Sequence, residues 1–394
     1  MKFDNITKLI LINFFNHLYF YIAVITFIYM QKGLDLFQMV CLEVVFVLFI
    51  LFGEVPTGIF ADKYGRKTSI ITYCLLFLVS EIIFLLGHGF WMLALSSAIA
   101  GTAISFYSGA GEALLYDSLK EQKQQHLMKK HMGTINASVI VAGAIAAIIG
   151  SVMATDLSLK SLLLLIQMVI ASAIIGTLFS LTLKEPKYKH KIETNPFKLF
   201  SSGIKQIKSN PSLMRIVALS IFSTPFFYVI TLLYQPYFKS LGINVAWFGA
   251  IFAVAMILSA LASKYAYKLE GILGVKWGVL LATLTPGIFC VILALLKFTW
   301  IAIISFVAII AINGFSEPLF SHYRNIHIKS FNRATTLSVI SLFYCIYEVI
   351  TRPTIGWIAN TNINLAFLVI GIIVIVASLS LQLKPEHVKH KTRF

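Results

Sequence analysis

Apolar residues run along this chain in blocks of twenty or more, separated by short polar or charged intervals. The blocks cover 6–30, 38–61, 68–88, 91–117, 132–154, 160–183, 213–238, 246–267, 277–297, 299–322, 335–359 and 363–383. About 20 mainly apolar residues carry a helix across a ~30 Å hydrocarbon core, so the pattern predicts twelve membrane-spanning helices. The break at 323–333 is clear, whereas only 297–300 interrupts the ninth and tenth blocks. The run at 9–30 exceeds a signal-peptide core and lacks a small-residue cleavage site, so it reads as the first span.

Composition supports the pattern. Of 394 residues 58% are hydrophobic and 12% charged, and the mean hydropathy is +0.86. Soluble domains carry about 25% charged residues, so a soluble globular protein is excluded. A net charge of +16 would point to nucleic acid in a soluble chain, but its placement gives another reason. With the N-terminus inside, the cytoplasmic segments collect Lys2 and Lys8, then Lys63, Arg66 and Lys67, then Lys120, Lys123, Lys129 and Lys130. They also hold eight basic residues over 184–215, then Lys264, Lys268, Lys276, Arg324, Lys329 and Arg333, and Lys384, Lys389, Lys391 and Arg393 in the tail. These make 27 of the 32 basic residues. The excess therefore reports topology, with both termini cytoplasmic in a bacterial inner membrane, and some attraction for anionic lipid. Nucleic acid is not an expected partner. Cys41, Cys74, Cys290 and Cys345 lie inside apolar blocks without metal-ligand spacing, so they read as small buried residues.

The longest polar stretch, 184–212, divides the chain into a six-helix half at 1–183 and another at 213–383, with a tail at 384–394. A short amphipathic helix around 197–207 would lie on the membrane surface. The halves echo each other: Lys32-Gly33-Leu34-Asp35-Leu36 matches Leu241-Gly242-Ile243-Asn244-Val245, and Gly111-Glu112-Ala113-Leu114-Leu115 matches Ser316-Glu317-Pro318-Leu319-Phe320. Parallel six-span repeats are a known transporter plan.

Between the second and third blocks stands Gly58-Ile-Phe-Ala-Asp62-Lys63-Tyr64-Gly65-Arg66-Lys67. Gly58 would let helices approach closely, and Gly65 would permit a tight turn. Asp62 could accept hydrogen bonds from a neighbouring helix N-terminus, where the dipole favours a carboxylate. Arg66 could reach Asp117 at the end of the fourth span. Lys63, Arg66 and Lys67 would also arise simply as positive-inside charges. The run resembles the G-x-x-x-D-(K/R)-x-G-(R/K)-(R/K) signature of the major facilitator superfamily. Together with span number, central loop and half-repeat, the resemblance covers essentially the whole chain. It implies an all-α integral membrane protein of 12 transmembrane helices in two pseudo-symmetric halves. It also implies a monomer, and a motif cluster that holds the outward-open state closed on the cytoplasmic side. Ser108-Gly-Ala-Gly111-Glu112-Ala-Leu-Leu-Tyr-Asp117, Glu54-Val-Pro-Thr-Gly58 and Arg333-Ala-Thr335 are similar to a bacterial subgroup grouped with drug-efflux carriers. Two departures count against drug/proton antiport: Ser97 replaces a fourth-span arginine, and the fifth-span antiporter run is reduced to Gly143 and Gly150.

Charges inside a membrane are costly and default to functional candidates. Glu43, Glu54, Glu81, Glu112, Glu317 and Glu348 are the acids, and Arg352 is the lone deep base. Glu348 and Arg352, four apart, can pair on one helical face. The resemblance places the first, fourth, seventh and tenth spans around a central cavity, which makes Glu112, with its counterpart Glu317, the expected proton carrier in apolar surroundings. A bracing role near the gate is the alternative. Glu54 would support a bend beside Pro56; Glu43 and Glu81 receive no role. Asn13, Asn16, His17 and Phe20 fall on one face of a continuous first helix, and Tyr228, Tyr234, Gln235 and Asn313 could complete the wall. The expected function is proton-coupled export of a small amphipathic compound by alternating access. Nutrient symport or facilitation, or dedicated siderophore export, stays open. No P-loop, cofactor motif or metal cluster is evident in the sequence. An enzyme would need a catalytic constellation, and a sensor would need a soluble output domain.

Overall fold

The computed structural model describes residues 4–185, 204, 207–328 and 333–388; the segment expected as a surface helix around 197–207 lies almost wholly outside them, as do the side chains at 333–335. The described residues form helices and turns without a strand. In the first half these are α1 (Asn5–Asn16), α2 (Ile25–Gln31), α3 (Leu36–Tyr64), α4 (Arg66–Leu86), α5 (Gly89–Glu121), α6 (Met128–Met153) and α7 (Leu159–Leu181). In the second they are α8 (Pro211–Ser223), α9 (Phe226–Ser240), α10 (Ala246–Lys264), α11 (Ala266–Leu295), α12 (Thr299–His327), α13 (Arg333–Thr361) and α14 (Ile363–Ser380). Twelve spans result, because α1 with α2, and α8 with α9, each make one.

Two expectations about these spans are corrected. The first is not a continuous helix over 6–30: it stops at Asn16 and resumes at Ile25, with turns between. Phe20 therefore leaves the helical face of Asn13 and Asn16. The seventh breaks between Ser223 and Phe226, where Pro225 cannot donate a backbone hydrogen bond. Each half is thus interrupted in its first span.

Element ends follow local chemistry. Asp35 opens α3 with a capping box: its carboxylate accepts from Gln38 N (2.8 Å), and the Gln38 side chain accepts from Asp35 N (3.1 Å), which satisfies two of the helix's free donors. Gly65, at φ +99°, ends α3 and begins α4. Gly274, at φ +70°, divides α11 into a short helix and a span. Gly33 and Gly242 are also in the left-handed half of backbone space, at +85° and +76°. Gly33 with Gly242, and Gly65 with Gly274, stand 209 residues apart, so the half-repeat extends to backbone turns.

The chain packs as two compact units, Met1–Lys191 with Asn244–Ala253, and Ile192–Ile243 with Val254–Phe394. The start of α10 thus packs with the first unit: Ser151 Oγ donates to Ala246 O at 3.1 Å. In that unit α4 lies between α5 and α7, and α3 runs along α5. Small residues permit the approach, but not where expected. A Cβ at Gly58 would meet nothing within 4 Å, whereas at Gly101 it would collide with the Phe46 carbonyl. In the second unit α11 packs between α12 and α14, with Phe315, Phe320 and Tyr323 in the core. Many large apolar side chains stay on the outside of the spans. Trp91, Trp247, Trp300 and Trp357 are all exposed at the start of α5, α10 and α12 and the end of α13. Trp near a span's end is the residue type that settles at a membrane interface.

Candidate functional site

The glycine-and-charge motif sits where α3 turns into α4, and a carboxylate closes over it. Glu185, four residues beyond α7, accepts from Arg66 N (2.8 Å) with Oε1 and from Lys67 N (2.7 Å) with Oε2. The segment carrying it is tied down: Asn5 Nδ2 donates to Lys184 O (2.9 Å), Lys184 N donates to Asn5 Oδ1 (3.0 Å), and Lys8 Nζ donates to Thr182 O (2.5 Å). An acid here complements the positive end of the α4 dipole. Sequence reasoning gave that part to Asp62. Asp62 is instead exposed, and makes no hydrogen bond or ion pair among the described residues. The missed signal was Glu185, an acid beside Lys184 at the start of a mostly basic segment after the sixth span.

Arg66 Nε and Asp117 Oδ2 meet at 3.1 Å, with the carboxylate buried. The pair is a charge contact without hydrogen-bond alignment, since Oδ2 finds no aligned donor among the described residues. Lys63 lies over the Tyr64 ring at 5.0 Å, and Lys67 contributes its backbone amide. Glu112 is exposed rather than desolvated, and it lines an open cavity of about 340 Å³ with Arg66, Tyr116 and Asp117. Glu54 and Asp62 line an adjacent cavity of about 300 Å³. Glu112 therefore stands with the motif cluster. In the second unit Tyr323, near the end of α12, donates its hydroxyl to Glu270 Oε1 at 2.6 Å.

The interrupted first span holds the other polar group of this unit. Asn13 Nδ2 donates to Tyr107 Oη (2.5 Å) and Leu9 O (2.8 Å). Asn16 is buried, donates to Cys74 Sγ at 3.4 Å, and is packed on Gly176. His17 Nδ1 lies 2.8 Å from Asn13 O, a helix-ending contact. From there an aromatic wall follows the break: Tyr107 on Tyr73 (5.0 Å), Tyr73 on Phe77 (6.2 Å), Tyr19 on Phe77 (5.8 Å) and Tyr21 on Phe84 (5.4 Å). Leu18, Phe20, Tyr21, Ala23 and Val24 of the break are themselves buried. Gly150 admits α6 against the Phe20 carbonyl, where a Cβ would collide. The residue that looked like a remnant of an antiporter run thus accommodates the break.

In the second unit, Arg352 Nη2 donates to Glu348 Oε1 at 2.7 Å, one helical turn apart on α13. The exposed Tyr228 ring covers the guanidinium at 5.3 Å, just beyond the break in the seventh span. Tyr347 adds edge contacts to Phe222 (5.0 Å) and Phe226 (6.0 Å). Tyr234 and Gln235 do not join this wall. Both are fully buried, Tyr234 stacked on Phe306 at 4.2 Å. Glu317 is exposed and pairs with Arg324 at 3.3 Å, and Asn313 is half-buried on α12.

The sequence profile of the Major Facilitator Superfamily matches residues 9–347. The chain belongs to the Major Facilitator Superfamily. It is 22% identical over 364 residues to the uncharacterized MFS-type transporter YxaM of Bacillus subtilis (strain 168), covering 90% of this chain and 89% of that one. It is 28% identical over 126 residues, 32% of this chain and 26% of the other, to the inner membrane transport protein YajR of Escherichia coli (strain K12). Its fold superposes on the nucleoside transporter NupG with a TM-score of 0.76 at 15% identity, over 99% of this chain and 100% of that one. A D-xylose–proton symporter gives 0.69 at 13% identity over 96% and 95%. The superfamily chain is thus a multi-pass membrane transporter, and the fold is that of its solved members.

Proposed function

We propose that this transporter works by alternating access and exports a small amphipathic compound against an inward flow of protons. The observation that carries the reading is the Glu348–Arg352 pair at 2.7 Å, largely buried within a span and covered by Tyr228 at the interruption of its neighbour. A buried ion pair is held by its mutual charge, so changing one partner strongly alters the other's environment. A proton on Glu348 would release Arg352, and a solute acceptor or aromatic face could take its place. Proton and solute then bias the same two-state equilibrium. One charge moving through 100 mV supplies about 2.3 kcal/mol, enough for a useful gradient without ATP. In this reading the motif cluster, with Glu112 beside it, is the cytoplasmic gate, the protein is a monomer in a bacterial inner membrane, and both termini face the cytoplasm.

Uptake by proton symport is the second reading. It is favoured by the nucleoside transporter and the D-xylose–proton symporter among the fold relatives, through a likeness of fold alone. Proteoliposomes holding the purified protein and a pH-sensitive dye separate the two. A panel of cationic drugs, siderophores, nucleosides, sugars and amino acids is added, with Glu348→Gln alongside. Proton movement with one class, lost in Glu348→Gln, supports coupling, and the sign of the driving gradient gives direction. Labelled-solute exchange with no proton movement for any compound would make this a uniporter.

A further inference from the structure

Glu81 lies on α4, the third span, which the family resemblance leaves outside the cavity-lining set. Its side chain is buried, and so is that of Tyr21. The Tyr21 hydroxyl is 2.7 Å from Glu81 Oε1, while Oε2 is sealed from solvent and has no hydrogen-bond partner among the described residues. Tyr21 belongs to the non-helical stretch that interrupts the first span. One member of the pair is therefore fixed in a helix, and the other sits on the segment whose backbone is least constrained by helical hydrogen bonds.

Among the described residues the surroundings offer no counter-ion. Tyr19 and Tyr29 stand behind Tyr21 on the broken span, packed on Phe77 and Phe84. Lys32 is buried too, but its ammonium donates to Leu85 O (3.0 Å) and Gly87 O (2.8 Å) and rests over the Phe84 ring, closing the end of α4. On α5, the Ser96 hydroxyl is committed to Ser80 O at 2.8 Å, and Tyr107 packs on Tyr73. Lys160, the charged residue of α7, is exposed, and Cys41 and Glu43 on α3 are half-buried. An ionised carboxylate held by one hydroxyl, with its second oxygen bare, is poorly compensated in a low-dielectric interior; the neutral acid carries no such cost. Moving Tyr21 away from Glu81 would remove its one partner and open the carboxyl to water, to which the proton could pass.

We propose that Glu81 is a proton-binding site of this transporter, loaded and released through its hydrogen bond to Tyr21 at the interruption of the first span. The site deepens the proton-coupled reading above and rests on it for its role in transport, though not for its chemistry.

Infrared difference spectra of the full-length protein in liposomes, recorded as pH is stepped without solute, test the chemistry. The carbonyl stretch of a protonated carboxyl should change with pH in the wild type and be lost in Glu81→Gln. In Tyr21→Phe, which removes only the hydrogen bond, the band should shift in frequency. A Glu81→Gln protein that retains every titrating carboxyl band, or an unmoved band in Tyr21→Phe, overturns the site. Transport gives the second arm. Proton-driven accumulation should be lost in Glu81→Gln while exchange of the same solute persists; full proton-driven accumulation in that variant overturns the coupling role. If the wild type moves no protons with any solute, the proposed function fails instead, and the infrared result still decides whether Glu81 binds a proton. Should Glu81→Gln not fold, the Tyr21→Phe shift decides alone.

Discussion

At Gly65 two requirements meet. Its φ of +99° and ψ of 154° lie in a region essentially reserved for glycine, where other residues cost ~1–3 kcal/mol. A Cβ there would also stand 2.8 Å from the Glu185 carboxyl carbon, whereas at Gly274, equally left-handed, it would meet nothing within 4 Å. Gly65→Ala should therefore lower the thermal midpoint more than Gly274→Ala, and Glu185→Ala should narrow the difference. Equal losses would show that the Glu185 contact contributes nothing. The acids nearby separate in the same way. Asp117→Asn strips Arg66 of its buried partner and should cost about 3 kcal/mol, at the lower end for a broken buried pair because Arg66 can turn toward water. Glu112→Gln, at an exposed position, should stay within about 0.5 kcal/mol. Midpoints of the purified variants in detergent measure both. Asp4 caps α1, its carboxylate accepting from Thr7 N at 2.9 Å. Partial burial pushes its carboxyl up, but hydrogen bonds from Thr7 outweigh this and hold it below its ordinary value. A lowered folded value means the cap is fully present above the unfolded value and is lost only as pH falls through the folded one. A transport pH profile near neutrality should consequently be the same in Asp4→Asn.

Elements show how packing overrides pattern. The stretch at 17–24 contains neither glycine nor proline and is as apolar as its neighbours, so hydropathy extends a single helix across it. The interruption depends on partners far away in sequence: the Tyr21–Glu81 bond, the wall of rings, and the closeness of α6 at Gly150. Phe20 contributes its backbone carbonyl to that last contact, so a residue expected on a helical face serves the break instead. The seventh span is different, because Pro225 marks its break within the sequence. Pro225→Ala restores a backbone donor, so hydrogen exchange over 220–230 should slow and the transport rate should fall. Unchanged exchange would mean that packing, not proline, holds that break open.

At the scale of the molecule, the charge distribution predicts which end faces the cytoplasm. The four native cysteines are buried or half-buried, which leaves introduced ones readable. Asp156→Cys, in the exposed turn before α7, should react with an impermeant thiol reagent in intact cells. Gln125→Cys, between α5 and α6, should react only after the cells are opened. The reverse pattern would invert the topology.

Spans, half-repeat and family were legible in the chain because they rest on local or additive properties: apolar length against bilayer thickness, loop charge, and glycines at turns that recur 209 residues apart. The Arg66–Asp117 and Glu348–Arg352 contacts were also anticipated, the second because a four-residue spacing fixes a helical face. What only the tertiary structure decided was everything set by which helices touch. It gave the α4 terminus to Glu185 rather than Asp62, and put Glu112 in the open while sealing Glu81 away. It took Tyr234 and Gln235 out of the wall and broke the first span without any local signal. A carboxylate's character in a membrane depends on the groups and water around it, and those neighbours come from other spans that hydropathy alone cannot align.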